Sequence, residues 1–265
     1  MKALKEKLKN GYISILDYFN EAFKLFWHLI RKEKKWILLI FAILLITAII
    51  EKKLQTITLL NSKINLEYIF ISHFLTYPLY ATYWVLYRKI IFKLTDRNEN
   101  LNILKSYIKA FITAIIISIP ILIITICSFY IDFLKYSHSY ELISLISQIS
   151  LSVIIFSVVV ACIFIYFLQV HMSKDLPLKE TLNYTLEVSQ SNRWRYIVCF
   201  LIESAAVFFI KTIIKTVTAF FMILLHLNIE SIGIIIIKTF IENFVPALSA
   251  IYSISLISII FVNVD

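Results

Sequence analysis

Residues 141–174 read ELISLISQISLSVIIFSVVVACIFIYFLQVHMSK, and between Glu141 and Lys174 there is no Asp, Glu, Lys or Arg. A helix of that composition has no polar face to turn towards water. It is longer than the roughly 20 apolar residues that cross a bilayer core. Outward from it lie five more apolar runs, each bounded by charged residues. Six spans are therefore expected, at about 36–50, 68–92, 110–131, 142–172, 196–218 and 235–262. The fold class is all-α: a polytopic transmembrane helical bundle forming a single integral membrane domain over 1–265. The first run is short for a bilayer, but its flanking lysines can snorkel. Pro78, Pro120 and Pro246 fall inside runs two, three and six. They imply kinks rather than breaks, which a lipid-embedded bundle tolerates.

Composition agrees. Apolar residues make up 60% of the chain and charged residues 16%, against roughly 25% charged in a soluble domain. Mean hydropathy is +0.84. Only 2 glycines are present, which excludes the Gly-rich phosphate loops of Rossmann and Walker A sites. Cys127, Cys162 and Cys199 sit in separate runs, with no CxxC or Cys/His cluster, so neither a zinc site nor a disulfide framework is expected. The five histidines show no metal-binding spacing, and there is no GxSxG elbow. No cofactor and no metal are expected. The first 35 residues are charged throughout, so no cleavable signal peptide is expected and run one would act as an uncleaved anchor.

The formal net charge of +9 would suggest nucleic acid in a soluble protein. Here the basic residues lie between apolar runs, where anionic phospholipid is the nearer partner. Nineteen of them fall before run one, between runs two and three, and between runs four and five; four fall on the opposite side. By the positive-inside rule both termini face the cytoplasm, and the expected location is the bacterial cytoplasmic (inner) membrane.

Three inner segments read as helices. Tyr12, Ile15, Leu16, Phe19, Phe23, Phe26, Trp27 and Ile30 recur at helical spacing, while Asp17, Glu21, Lys24 and Arg31 take other faces. That pattern, within the segment 1–35, fits an amphipathic helix in the inner interface. After Pro177 a second such piece is expected to place Leu178, Leu182, Leu186 and Ser189 on one face. A third, 101–109, feeds run three.

Three stretches carry a resemblance: ILDYFNEAFKLFWHLIRKEKKWILLI, YPLYATYWVLYRK followed by NILKSYIKAF, and PLKETLNYTLEVSQSNRWRYIVCFLI, where a polar helix passes through a short polar turn to Trp194-Arg195 and a span. With FVPALSAIYSISLI in the last run, the chain resembles bacterial six-helix membrane proteins related to the membrane domain of glycerophosphodiester phosphodiesterase, the YciC-like proteins among them. It departs from them at Ser191 and Asn192, which stand where glycines are usual. A phosphodiesterase barrel needs about 250 residues, more than the spans leave over. The resemblance thus implies a shared scaffold and not the hydrolase activity.

Ionisable residues inside spans are the default functional candidates. They are Glu203, Lys211 and Lys215 in span five and Lys238 and Glu242 in span six. At about 1.5 Å per residue from Tyr196, Glu203 lies roughly 10 Å and Lys211 roughly 22 Å up, close to the depth of Glu242. A Lys211–Glu242 ion pair is expected, either as a structural lock or as part of an outer cleft for an anion or lipid headgroup. Gln169, His171 or Arg195 could reach Glu203. Ser157 with Ala161, and Ser249 with Ser253, are expected close-approach points between helices. Tyr77, Tyr80 and Tyr83 need hydroxyl partners. The leading expectation is a non-enzymatic membrane scaffold, accessory or lipid-interacting protein; the alternative is a small transporter or permease component using the polar residues of spans five and six.

Overall fold

The computed structural model describes residues 8, 13–60, 66–96, 102–136, 140–163, 165–224 and 232–264. Among them there is no strand. The elements are α1 (Ile15–Lys32), α2 (Lys34–Leu60), α3 (Leu66–Leu94), α4 (Ile103–Tyr136), α5 (Tyr140–Ile163), α6 (Phe167–Ser173), α7 (Leu178–Leu224) and α8 (Ile232–Val264).

Four stretches among the described residues are long and apolar enough to cross a membrane: Ile103–Ser128 in α4, Tyr140–Ile163 in α5, Asn192–Phe221 in α7 and Phe244–Val264 in α8. These are four of the six expected; α2 and α3 are not among them. α2 falls short because its uninterrupted apolar run, 36–50, is closed by Glu51, Lys52 and Lys53. At 1.5 Å per residue that run covers about 22 Å of a core of about 30 Å. α3 falls short because five tyrosines, His73 and Pro78 dilute its hydropathy. Each of α3, α4 and α8 runs through its proline.

Three boundaries also differ from the sequence reading. The fourth run is not one span to 172: α5 stops at Ile163, and α6 starts at Phe167 after a turn at Tyr166. α6 is apolar because it packs inside the protein, with Val170 and Met172 fully buried. An apolar run alone does not separate contact with lipid from contact with core. The piece after Pro177 and span five are one helix of 47 residues, about 70 Å long, with no turn before Trp194. Its buried face is also not the leucine face. Leu178 is exposed and Leu182 and Leu186 are half-buried; of the expected face only Ser189 is buried, and Thr181, Thr185 and Asn192 are buried with it. Their side chains bond back one turn, Thr185 to the Thr181 carbonyl (2.7 Å), Ser189 to that of Thr185 and Asn192 to that of Val188. Small residues that satisfy themselves let neighbouring backbones come close.

The core lies towards one end of the bundle, where Tyr18 and Leu25 of α1 meet Ile40 of α2, Tyr87 and Ile91 of α3, Tyr166, and Ile259 and Phe261 of α8. α1 starts on a Ser14 cap that accepts the Asp17 N–H. It is then tied to the last helix: the Tyr18 hydroxyl donates to Asn263 (2.5 Å) and Tyr252 to the Phe19 carbonyl (3.3 Å). α5 lies along α4 and has no buried residue of its own. The Ser157 hydroxyl bonds back to the Val153 carbonyl. Just past α3, Asp96 takes φ 55, the left-handed position where glycine is usual.

Candidate functional site

Two polar constellations stand out. The first is at the packed end. The carboxylate of Asp175, just before α7, accepts both Arg88 nitrogens (3.1 and 2.6 Å) and Lys109 Nζ (3.3 Å). That joins α3, α4 and the α6–α7 connection at one point. The paired Arg–carboxylate bond is the strong, geometrically specific kind. The Arg88 guanidinium holds Asp175 well below the usual carboxylate range, at about 2, against the smaller opposing effect of burial. Glu33, between α1 and α2, accepts Lys89 (2.6 Å) and Lys93 (2.5 Å). Burial works to raise its carboxyl, but the two ammonium groups outweigh it and leave it below its ordinary value. Nearby, Arg195 reaches the Tyr18 hydroxyl (3.4 Å), and Tyr166 donates to the Asn192 carbonyl (3.1 Å).

Sequence reasoning missed Glu33, Arg88, Lys109 and Asp175 as partners. The available signal was an acid inside a basic segment: Glu33 within RKEKK and Asp175 within SKDLPLK. Such an acid is the nearest neutralising group for several cations.

The second constellation is a cleft of about 280 Å³ between α7 and α8. Glu203 and Lys211 both line it, two turns apart on α7, with Ser249 and Ser253 of α8 opposite. Glu203 is buried and accepts a hydrogen bond from Ser253. This corrects the expected partners. Gln169 instead meets the Tyr196 hydroxyl (3.0 Å), with its amide nitrogen towards the Tyr166 and Ile165 carbonyls. Arg195 is at Tyr18. The small pair Ser249/Ser253 does face α7, and it supplies the hydroxyl. Lys215 is exposed one turn further along α7. Lys238 and Glu242 belong to α8, but their side chains lie outside the described residues, and with them the expected Lys211–Glu242 pair.

A larger cavity, about 400 Å³, lies between α3, α4 and α6. Tyr77, on its wall, finds its hydroxyl partner in Ser118 (2.7 Å), while Phe74, Tyr77 and Phe111 pack edge to face and hold α3 to α4. Among the described residues, no three His, Cys, Asp or Glu side chains are grouped to hold a metal ion.

Compared with known proteins, the chain matches no family model, no curated protein and no solved structure. Its reading rests on its own residues.

Proposed function

We propose that this is a non-enzymatic, lipid-interacting scaffold or accessory protein of the bacterial cytoplasmic membrane. It crosses the bilayer six times, with both termini inside, on the six-helix plan that its sequence resembles. Four crossings use the apolar stretches of α4, α5, α7 and α8. For the other two, α3 lies along α4, from the Tyr77–Ser118 contact down to the Asp175 that Arg88 and Lys109 share. A bilayer that surrounds α4 then surrounds α3, and α2 returns beside it.

The observation that carries the lipid reading is the outer surface of α1. Its buried stripe (Tyr18, Ala22, Leu25, Leu29) faces the bundle, yet Leu16, Phe23 and Trp27 on the opposite side of the helix are exposed. Lys24 and Arg31 follow on the next face. Large apolar side chains bordered by cations suit the headgroup boundary of an anionic leaflet.

Single-cysteine proteins, with Cys127, Cys162 and Cys199 replaced, test the topology. An impermeant thiol reagent on intact cells is expected to label Tyr140→Cys, at the start of α5, and to spare Asn102→Cys just before α4. The reverse pattern inverts the topology. The α7–α8 cleft favours one second reading, a small transporter or permease component in which Glu203 handles a proton. Dissipation of a proton gradient by reconstituted protein, lost in Glu203→Gln, would select it.

A further inference from the structure

The cavity between α3, α4 and α6 has two chemically different ends. Its α4 wall runs from Ala110 to Ile121, a rise of about 16 Å, close to half of a hydrocarbon core of about 30 Å. Trp84, Ala114, Ile117 and Leu168 line it with hydrocarbon and ring faces. Two of its polar groups are already committed, Tyr77 to Ser118 and Thr113 to the Lys109 carbonyl. Its volume of about 400 Å³ is within the range of small-ligand sites, about 300–1,000 Å³.

The inner end is cationic. Lys109 precedes Ala110, and Arg88 lies one turn beyond Trp84 on α3. Both are held by the one carboxylate of Asp175, so the trio carries a net positive charge. Arg88 is 7% exposed, and its Nε has no hydrogen-bond partner. A largely apolar channel about one leaflet long, with two cations on one anion just beyond its last lining residues, has the polarity of a single lipid chain under an anionic head.

We propose that this cavity holds one acyl chain of an anionic phospholipid of the inner leaflet, with the headgroup phosphate against Arg88 and Lys109. A zwitterionic lipid would bring another cation to the same place, so the site discriminates by charge. The inference rests on the reading that α3 and α4 cross the membrane together.

Trp84 supplies the probe. A protein with Trp27, Trp36 and Trp194 changed to Phe is reconstituted in phosphatidylcholine vesicles. Chain-brominated phosphatidylglycerol or chain-brominated phosphatidylcholine is then added as quencher at equal mole fractions. Half-quenching by the anionic lipid is expected at about fivefold lower fraction, the effect of one basic residue on an anionic headgroup. Lys109→Gln removes that preference, and Ala114→Phe, which fills the channel, removes it too. Equal quenching by the two lipids overturns the proposal, as does a preference that survives either substitution. If Ala114→Phe does not fold, Lys109→Gln decides alone. A companion protein keeping only Trp27 reports α1 at the interface. Its failure to be quenched by either lipid would sink the lipid-interacting function while leaving the Trp84 result to judge the cavity.

Discussion

α3 and α5 are helices of 29 and 24 residues with opposite surroundings. α3 carries Tyr, Thr, Pro and Arg, and Ala81, Thr82, Val85, Leu86, Tyr87 and Arg88 are all buried. α5 is almost wholly apolar and buries nothing. In a soluble protein the more apolar helix would be the central one. Here the order is reversed, because lipid tails are as apolar as leucine and give no drive to hide it. Protein contact is instead made by mixed, shape-specific residues. Between these two helices, the higher hydropathy goes with exposure and the moderate polarity with burial against protein.

The sharpest way to break that comparison is a pair of truncations. Leu86→Ala opens a hole in the packed end and is expected to cost about 2–5 kcal/mol. Leu151→Ala, on the exposed surface of α5, changes only a lipid contact and is expected to cost about 0.5 kcal/mol or less. Unfolding of the purified protein by increasing detergent denaturant compares the two. Equal losses would mean that the Leu151 side of α5 is covered by protein.

A smaller effect is expected in the α7–α8 cleft. Glu203→Gln and Ser253→Ala, singly and together, form a double-mutant cycle for the bond across the two helices. Interhelical hydrogen bonds within membranes couple by about 0.6 kcal/mol on average and about 1.7 at most. A coupling in that range supports a structural lock. No coupling would free Glu203 for the transport reading, since its stability would then not depend on Ser253.

The helical, membrane-embedded character was legible because long charge-free runs admit few other readings. Glu203 and Lys211 were legible as charges inside one apolar run; that both line one cleft fits their spacing of eight, which is close to two turns and keeps both on one side of α7. What could not be read were the facts that depend on tertiary neighbours. Nothing local tells that residues 167–173 turn into the protein while 140–163 face out, since both are apolar. Nothing local favours Thr181 and Thr185 over the leucines beside them; the close approach of other helices decides it. The ion pairs at the packed end join residues 87 and 66 positions apart, separations at which sequence pattern carries no geometry.

The smallest effect tests whether the packed end is also an electrostatic unit, which the lipid-facing helices are not. Asp175→Asn removes the carboxylate that joins Arg88 and Lys109. In the folded protein Asp175 titrates at about 2, below its ordinary 3.8. A carboxyl with a depressed value stabilises the fold above its unfolded value and loses that contribution as pH falls through the folded one. The difference in stability between the natural chain and Asp175→Asn should thus be fully present above about pH 4 and fade towards pH 2. Its side chain is 48% exposed, so solvent screening holds the difference to about 1 kcal/mol or less. Detergent unfolding across pH 2–6 measures it. A difference that stays constant down to pH 2 would show that Asp175 acts by packing or by neutral hydrogen bonds. The junction of Arg88, Lys109 and Asp175 would then be held without a contribution from the charge of Asp175.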